Sequence, residues 1–320
     1  MAILIVGGAG YIGSYVNLMM NKKGFETIVL DNLSTGNKDA VNVGTLIVGD
    51  LGDTATLKKV FEDNDIDAVM HFAAHTAVGE SVKDPGKYYH NNVVNTLALL
   101  DTMVDYGVKR FLFSSSAAIF GSPEKDLIDE EHRVLPINPY GRTKLMIEKI
   151  LGDYDIAYGM KSCCLRYFNA AGGDPSGEHK NYNINSTNII PVILNAIEKE
   201  SPVTIFGTDY DTIDGTCVRD YIHIHDLASA HISALEKLLV DDATSSQYNL
   251  GNGDGYSVSD VIDTAKKVTG VNFTVIEGER RAGDPDVLVA SAKKAQKELG
   301  WKPEFPDLES IILHQWKATL

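Results

Sequence analysis

Cysteine is scarce in this chain, and the three present show no metal-ligand spacing: Cys163 and Cys164 are adjacent, and Cys217 stands alone. Adjacent residues in a strand face opposite ways, so neither a disulfide framework nor a thiolate metal site is expected. Positive charge is also in deficit, with 29 Lys and Arg against 44 Asp and Glu, a formal net charge of −15. A surface of that sign repels nucleic acid, which excludes a polyanion-binding role while leaving room for local basic residues at a nucleotide. No apolar run reaches the roughly 18 residues of a membrane span, so no membrane association is expected. The first strand-like run begins at residue 2, so no secretory leader is expected. A reduced, soluble, cytoplasmic protein is the plain expectation. Apolar residues make up 44% of the 320, enough for one large or two smaller domains.

What the chain does have is concentrated in its first thirty residues. Ala2–Val6 is a continuous apolar run of strand length, as in a parallel strand buried on both faces. Gly7, Gly10 and Gly13 follow, and Tyr15, Val16, Leu18 and Met19 then recur at helical spacing until Lys22, Lys23 and Gly24 supply a stop. A second apolar run ends at Asp31. Strand, glycine turn, helix, strand and acid form a dinucleotide-binding unit. Gly7 permits the tight turn, Gly10 lets backbone approach a pyrophosphate, and Gly13 permits close helix packing. Helix-start N–H groups and the positive dipole end hold phosphate. Asp31 is placed to accept from the ribose hydroxyls and would repel a 2′-phosphate, which favours NAD over NADP.

Strand-like and helix-like segments alternate through the first half. Strands are expected at 45–48, 68–71, 111–113 and 161–166. Helices are expected after an Asp53 cap, over 88–106, and from Asn138 and Pro139 to about 158. This rhythm implies an α/β fold with a doubly wound parallel sheet of Rossmann type. It fails after Asn169, and 170–188 is too irregular for another sheet unit. Later segments read as helices at 192–199, after an Asp226 cap, at 258–268 and at 292–299, with strands at 204–206, 248–250 and 273–276. Residues 1–168 are therefore expected to form the dinucleotide domain, with 221–250 partly returning to it. Residues 169–320 are expected to form mainly a smaller, interleaved α/β substrate domain.

Tyr140 and Lys144 are four apart at the start of a helix and address one pocket, with Ser116 just past a strand end. A tyrosine is a poor base at neutral pH. Lowering its pKa by roughly 3 units means about 4 kcal/mol of preferential phenolate stabilisation. An adjacent ammonium, a positively charged nicotinamide ring and a place in the first helical turn act in that direction. The phenolate then removes a proton from an alcohol as hydride leaves the same carbon. His223 and His225 share a face of an extended segment, but no third ligand has suitable spacing, so no metal is expected.

Longer stretches carry a resemblance. They include His71-Phe-Ala-Ala74, Ala77-Val-Gly-Glu-Ser81, Tyr88-Tyr-His-Asn-Asn92, Asn138-Pro-Tyr-Gly141, Arg166-Tyr-Phe-Asn169, Arg219-Asp-Tyr-Ile-His223 and Tyr248-Asn-Leu-Gly251. Over nearly its whole length the chain resembles the extended short-chain dehydrogenase/reductase family, most closely its sugar-nucleotide epimerases. That resemblance implies NAD contacts from Gly7, Gly10, Tyr11, Ile12, Gly13, Asp31, Asn32, Asp50, Leu51, Phe72, Ala73, Ala74, Asn91, Ser114, Tyr140, Lys144 and Phe168. It implies Tyr140 as acid/base, with Ser116 and Lys144 as its partners. It also implies a UDP-sugar site from Ser116, Tyr140, Asn169, Asn188, Ile189, Thr204, Ile205, Phe206, Arg219, Arg281, Asp284 and Leu288. The implied reaction interconverts UDP-glucose and UDP-galactose by transient oxidation at sugar C4 through a 4-keto intermediate. A homodimer through the 88–106 and 139–158 helices is implied as well. Rival readings are an epimerase of N-acetylated or pentose UDP-sugars, a sugar-nucleotide dehydratase, and a non-enzymatic NAD sensor. A dehydratase needs extra acid/base groups after the serines, where Ala117 and Ala118 stand; a sensor would be expected to lack Tyr140 or Lys144.

Overall fold

A computed structural model describes residues 1–125, 127–180, 187–281 and 284–319. The chain forms two compact units. The first comprises Met1–Gly121, Val134–Arg166 and Ala228–Tyr248; the second comprises Ser122–Arg133, Tyr167–Leu227 and Asn249–Leu320.

The first unit holds the expected doubly wound sheet. From one edge its strands run Ser246–Leu250, Lys161–Tyr167, Arg110–Ser114, Ile66–His71, Ala2–Val6, Glu26–Asp31 and Thr45–Val48. The chain starts in the interior at Ala2–Val6, builds outward to 45–48, and then crosses to the other side at 66–71. Val6 is paired with Leu30 on one side and His71 on the other, so the sheet reverses direction beside the end of the first strand. In open α/β sheets such a switch point leaves a crevice at the carboxyl ends of the strands. Ala2 to Val6 are all buried, as a strand covered on both faces requires. The core runs from Leu4 and Leu30 through Leu57, Phe61 and Leu99 to Phe111 and Ile147.

Local signals act as expected at several ends. Asp53 caps Thr54–Asp63, and Asn138 caps Pro139–Tyr158 by accepting from the Gly141 N–H at 2.8 Å. The helix expected over 88–106 is instead three joined pieces: Pro85–Tyr89, a π-helical turn at His90–Val94, and Asn95–Asp105. Periodicity alone does not show a π-turn, because it inserts one residue without breaking the helix.

The second unit has its own sheet, ordered Gly255–Ser257, Val218–His223, Val287–Ala290 and Leu127–Ile128, with Asn169–Ala171 also paired to 218–223. A separate parallel pair joins Val203–Phe206 to Val275–Gly278. The second of these strands starts two residues later than the expected 273–276, because Phe273 is spent in the core of the helices Ile189–Glu198, Val258–Thr269 and Leu308–Thr319. Asp226 is not the cap it was expected to be. Its helix, Ile224–Leu238, starts before it, and its carboxylate accepts from the Glu304 and Phe305 N–H groups instead. Of the 170–188 stretch, residues 181–186 lie outside those described.

Candidate active site

In the first unit a cleft opens at the switch point, lined by Val6, Gly7, Gly10, Leu30, Asp31, Asn32, Ser34, Thr35, Gly49, Asp50, Leu51, Phe72, Ala73, Ala74, His75 and Asn91. The three glycines do different work. Gly7 has φ +78°, and a Cβ there would lie 2.4 Å from the Ala73 nitrogen, so only glycine fits. A Cβ on Gly13 would lie 2.4 Å from the Gly7 carbonyl oxygen, which lets the helix Tyr11–Lys22 press onto the turn itself. Gly10 is unlike both. Its φ is −79°, and an added Cβ would meet only the Gly7 oxygen at 3.4 Å. The protein supplies no steric reason for glycine at the helix start, where no side chain caps the backbone and no acid sits in the first turn.

Asp31 is buried and already organised. One carboxylate oxygen accepts from the Ala9 N–H at 2.9 Å and the other from the Leu33 N–H at 2.8 Å. Each oxygen keeps a second lone pair for a ligand hydroxyl. Beside it, Asn32 donates to Asp50 at 2.6 Å, tying two loop ends together. Ten of the expected cofactor residues thus line one cleft. Tyr11 and Ile12 open the helix, and Ser114, Tyr140 and Lys144 lie elsewhere in the same unit; Phe168 belongs to the second. Sequence reasoning missed Val6, Leu30, Ser34, Thr35, Gly49 and His75. Ser34 and Thr35 directly follow Asp31 and Asn32, and Gly49 precedes Asp50, so adjacency was the available signal.

The three residues expected to be reactive lie together in the first unit. Tyr140 is half-buried in the first turn of Pro139–Tyr158 and hydrogen-bonds Ser116. Lys144, one turn on, is 4% exposed, donates to the Ser114 carbonyl at 2.7 Å, and lies 5.9 Å from the Tyr140 ring centre. The helix start comes close to the turn after Ser116, since a Cβ on Gly141 would lie 2.3 Å from the Ala118 oxygen. Electrostatics depart from the expected lowering of the tyrosine. Burial raises the Tyr140 phenol above its ordinary value, and the bond to Ser116 opposes this. Burial also pulls Lys144 down to about 7, against the opposing charge of Glu148. A desolvated ammonium gives a phenolate less support, because its own charge is disfavoured.

In the second unit, Arg219 pairs in register with Leu288 and donates to the Val218 and Pro285 carbonyls at 2.8 Å, with Asp284 3.8 Å away. The Arg281 guanidinium stacks over the exposed Phe206 ring at 4.1 Å. Thr204 and Ile205 precede Phe206 on the strand Val203–Phe206. Asn188 is the residue ahead of the helix opened by Ile189, and Asn169 donates to the Asp220 carbonyl at 3.0 Å. His223 accepts from the His225 N–H and faces His314 at 3.1 Å.

The model of the NAD dependent epimerase/dehydratase family matches residues 3–251. The chain belongs to that family. It is 47% identical over 317 residues to the UDP-glucose 4-epimerase of Halalkalibacterium halodurans, covering 99% of this chain and 95% of that one. Among solved structures, a UDP-glucose 4-epimerase superposes with TM-score 0.96 at 44% identity, covering 99% of this chain and 97% of the other. The Brucella ovis UDP-glucose 4-epimerase in complex with NAD gives TM-score 0.94 at 43% identity over 98% and 96%. NAD is the family's cofactor, and the cleft fits it. Gly10 offers space that no protein atom needs, beside uncapped helix-start backbone, and the Asp31 carboxylate has lone pairs to spare. No helix among the described residues is long and apolar enough to cross a membrane.

Proposed function

We propose that this family member is a UDP-glucose 4-epimerase, interconverting UDP-glucose and UDP-galactose. The observation that carries the reading is Tyr140 bonded to Ser116, with Lys144 anchored on Ser114, in the unit that holds the dinucleotide cleft. The names of its close relatives agree with it. The first unit holds NAD through the glycine turn, Asp31, Asn32, Asp50, Leu51, Phe72, Ala73, Ala74 and Asn91, with Tyr11, Ile12, Ser114 and Lys144 as further contacts, and Phe168 is the one expected contact from the second unit. When bound, NAD accepts and returns hydride at sugar C4.

The chain's own residues handle the proton. Ser116 orients the sugar hydroxyl and the Tyr140 oxygen, and Tyr140 takes the hydroxyl proton and later gives it back. Lys144 spends one N–H on the Ser114 carbonyl, leaving two for the cofactor ribose and the phenolate. Asn169, Asn188, Ile189, Thr204, Ile205, Phe206, Arg219, Arg281 and Asp284 hold the uridine diphosphate, with the planar guanidinium groups suited to phosphate oxygens. Leu288, next to Arg219 in register, limits the sugar's size. The protein works in the cytoplasm as a homodimer, joined through its two long helical stretches. Their exposed apolar residues Val94, Met146 and Ile156 are candidates for burial in that contact. Incubating the purified protein with a panel of UDP-sugars tests the function. Interconversion of the glucose and galactose forms is expected, and inertness toward both would refute the reading.

A further inference from the structure

Three consecutive serines, Ser114 at the end of the strand Arg110–Ser114 and Ser115 and Ser116 just past it, each meet one residue of the helix Pro139–Tyr158. The Ser114 carbonyl accepts from Lys144 at 2.7 Å, Ser115 Oγ donates to Glu148 Oε1 at 2.6 Å, and Ser116 bonds Tyr140. Positions 140, 144 and 148 are successive steps of four, so the three partners lie along one helix face. Glu148 is the member that no motif singles out. It is 9% exposed, and its carboxylate also takes the fork of Arg166 on Lys161–Tyr167, with Nε at 3.0 and 3.2 Å and a terminal nitrogen at 2.6 Å.

Stability alone is a weak reason for this arrangement. Desolvating two charges cancels most of their attraction, and a packed apolar pair holds a core as well. Register and charge are what a carboxylate adds here. Both of its oxygens are engaged, so it cannot turn without releasing Ser115 or Arg166, and Ser115 lies between the two residues that hold Lys144 and Tyr140. Its charge also opposes the desolvation of Lys144, one turn away. The other titratable groups acting on the lysine are few. Tyr140 is on the same helix, and His71 of Ile66–His71 stays neutral because burial lowers it to about 3. From Arg110–Ser114 it meets the uncharged Phe113 ring and the Ser114 carbonyl. Glu148 itself faces Arg166, Ser115 and Cys164, whose thiol burial keeps protonated.

The geometry points to Glu148 as a positioning residue for the proposed proton abstraction, holding residues 114–116 in register with Tyr140 and balancing the Lys144 ammonium. This rests on the epimerase reading, and its test separates the two. In the holoenzyme, Ser115→Ala removes one hydrogen bond and leaves the ion pair intact. It is expected to lower kcat about 10-fold at unchanged KM, with the alkaline limb of the pH profile unmoved. Glu148→Gln keeps an acceptor for Ser115 and removes the charge. A kcat loss of roughly 10- to 100-fold is expected, with the alkaline limb moved to lower pH as Lys144 loses its proton earlier. Phenolate absorbance titrations, taken as differences against Tyr140→Phe, give a readout that needs no turnover. Tyr140 is expected to ionise at higher pH in Glu148→Gln than in the wild type. A folded Glu148→Gln protein with an unmoved pH limb and an unmoved phenolate titration overturns the proposal, whatever its rate. If that variant does not fold, wild-type kcat in Ser115→Ala overturns it. A wild type that turns over neither UDP-sugar defeats the epimerase reading, and the phenolate titration still decides the role of Glu148.

Discussion

Gly7 and Gly10 separate the role of a glycine in folding from its role in holding a ligand. Gly7→Ala puts an L-residue at φ +78°, which costs about 1–2 kcal/mol. Its methyl would also lie 2.4 Å from the Ala73 nitrogen, and relieving such crowding adds typically about 1–3 kcal/mol. The sum is a large fraction of the roughly 5–15 kcal/mol that holds a domain folded. Gly10→Ala meets neither obstacle, at φ −79° with its nearest contact at 3.4 Å. Alanine is a poorer helix cap than glycine but restricts the unfolded chain, and these effects of at most about 1 kcal/mol oppose each other. In the proposed binding mode the methyl would occupy the space through which a pyrophosphate reaches the helix-start N–H groups. Losing one charge-assisted hydrogen bond there costs about 1.5–3 kcal/mol, roughly 10- to 150-fold in Kd. Denaturant melts of protein stripped of nucleotide, beside calorimetric titration with NAD, measure both quantities. Gly7→Ala is expected to lose stability, and Gly10→Ala to keep it while losing NAD affinity. Wild-type affinity in Gly10→Ala would refute backbone approach at that residue.

Tyr140→Phe is expected to lower turnover by about 10²- to 10⁴-fold while NAD remains bound, since only the proton acceptor is removed; near-normal rates across a pH series would exclude it as the base. His71 is held neutral by burial, at about 3 against an ordinary 6.5, so the unfolded chain binds the extra proton between those values. Stability is therefore expected to fall as pH drops from 6.5 toward 3, less steeply in His71→Gln; identical slopes in denaturant melts would remove this assignment. Leu288 is half-buried beside Arg219, apolar, and unable to pair with an acetamide, whose unmet hydrogen bond costs roughly 1–3 kcal/mol. Leu288→Ser is expected to admit N-acetylated UDP-sugars, and equal wild-type efficiency on both sugar classes would show that the position is not a gate.

The first unit was legible because its signals are local. Apolar runs, a glycine turn, an acid at the second strand end and the Asn138-Pro139 start each act within a few residues, and the sheet order follows from their alternation. The second unit was not. Its strand Val218–His223 pairs with segments that start at residues 169, 255 and 287, so no short window carries its pattern. The same limit hid Glu148, whose partners lie 33 and 18 residues away, and the neutral state of His71, held by its burial beside two phenylalanine rings. The raised Tyr140 phenol is a further case: its helix position was visible, but the extent of its desolvation depends on packing from distant parts of the chain.

In the proposed epimerase cycle, hydride leaves sugar C4 and returns to the same carbon without reaching solvent. UDP-galactose deuterated at C4, incubated with the purified protein and no added cofactor, tests it directly when the product is read by mass spectrometry and NMR. UDP-glucose that keeps the deuterium at C4 is the expected result. Exchange of the label with solvent, or conversion only when NAD is supplied and consumed stoichiometrically, would contradict it.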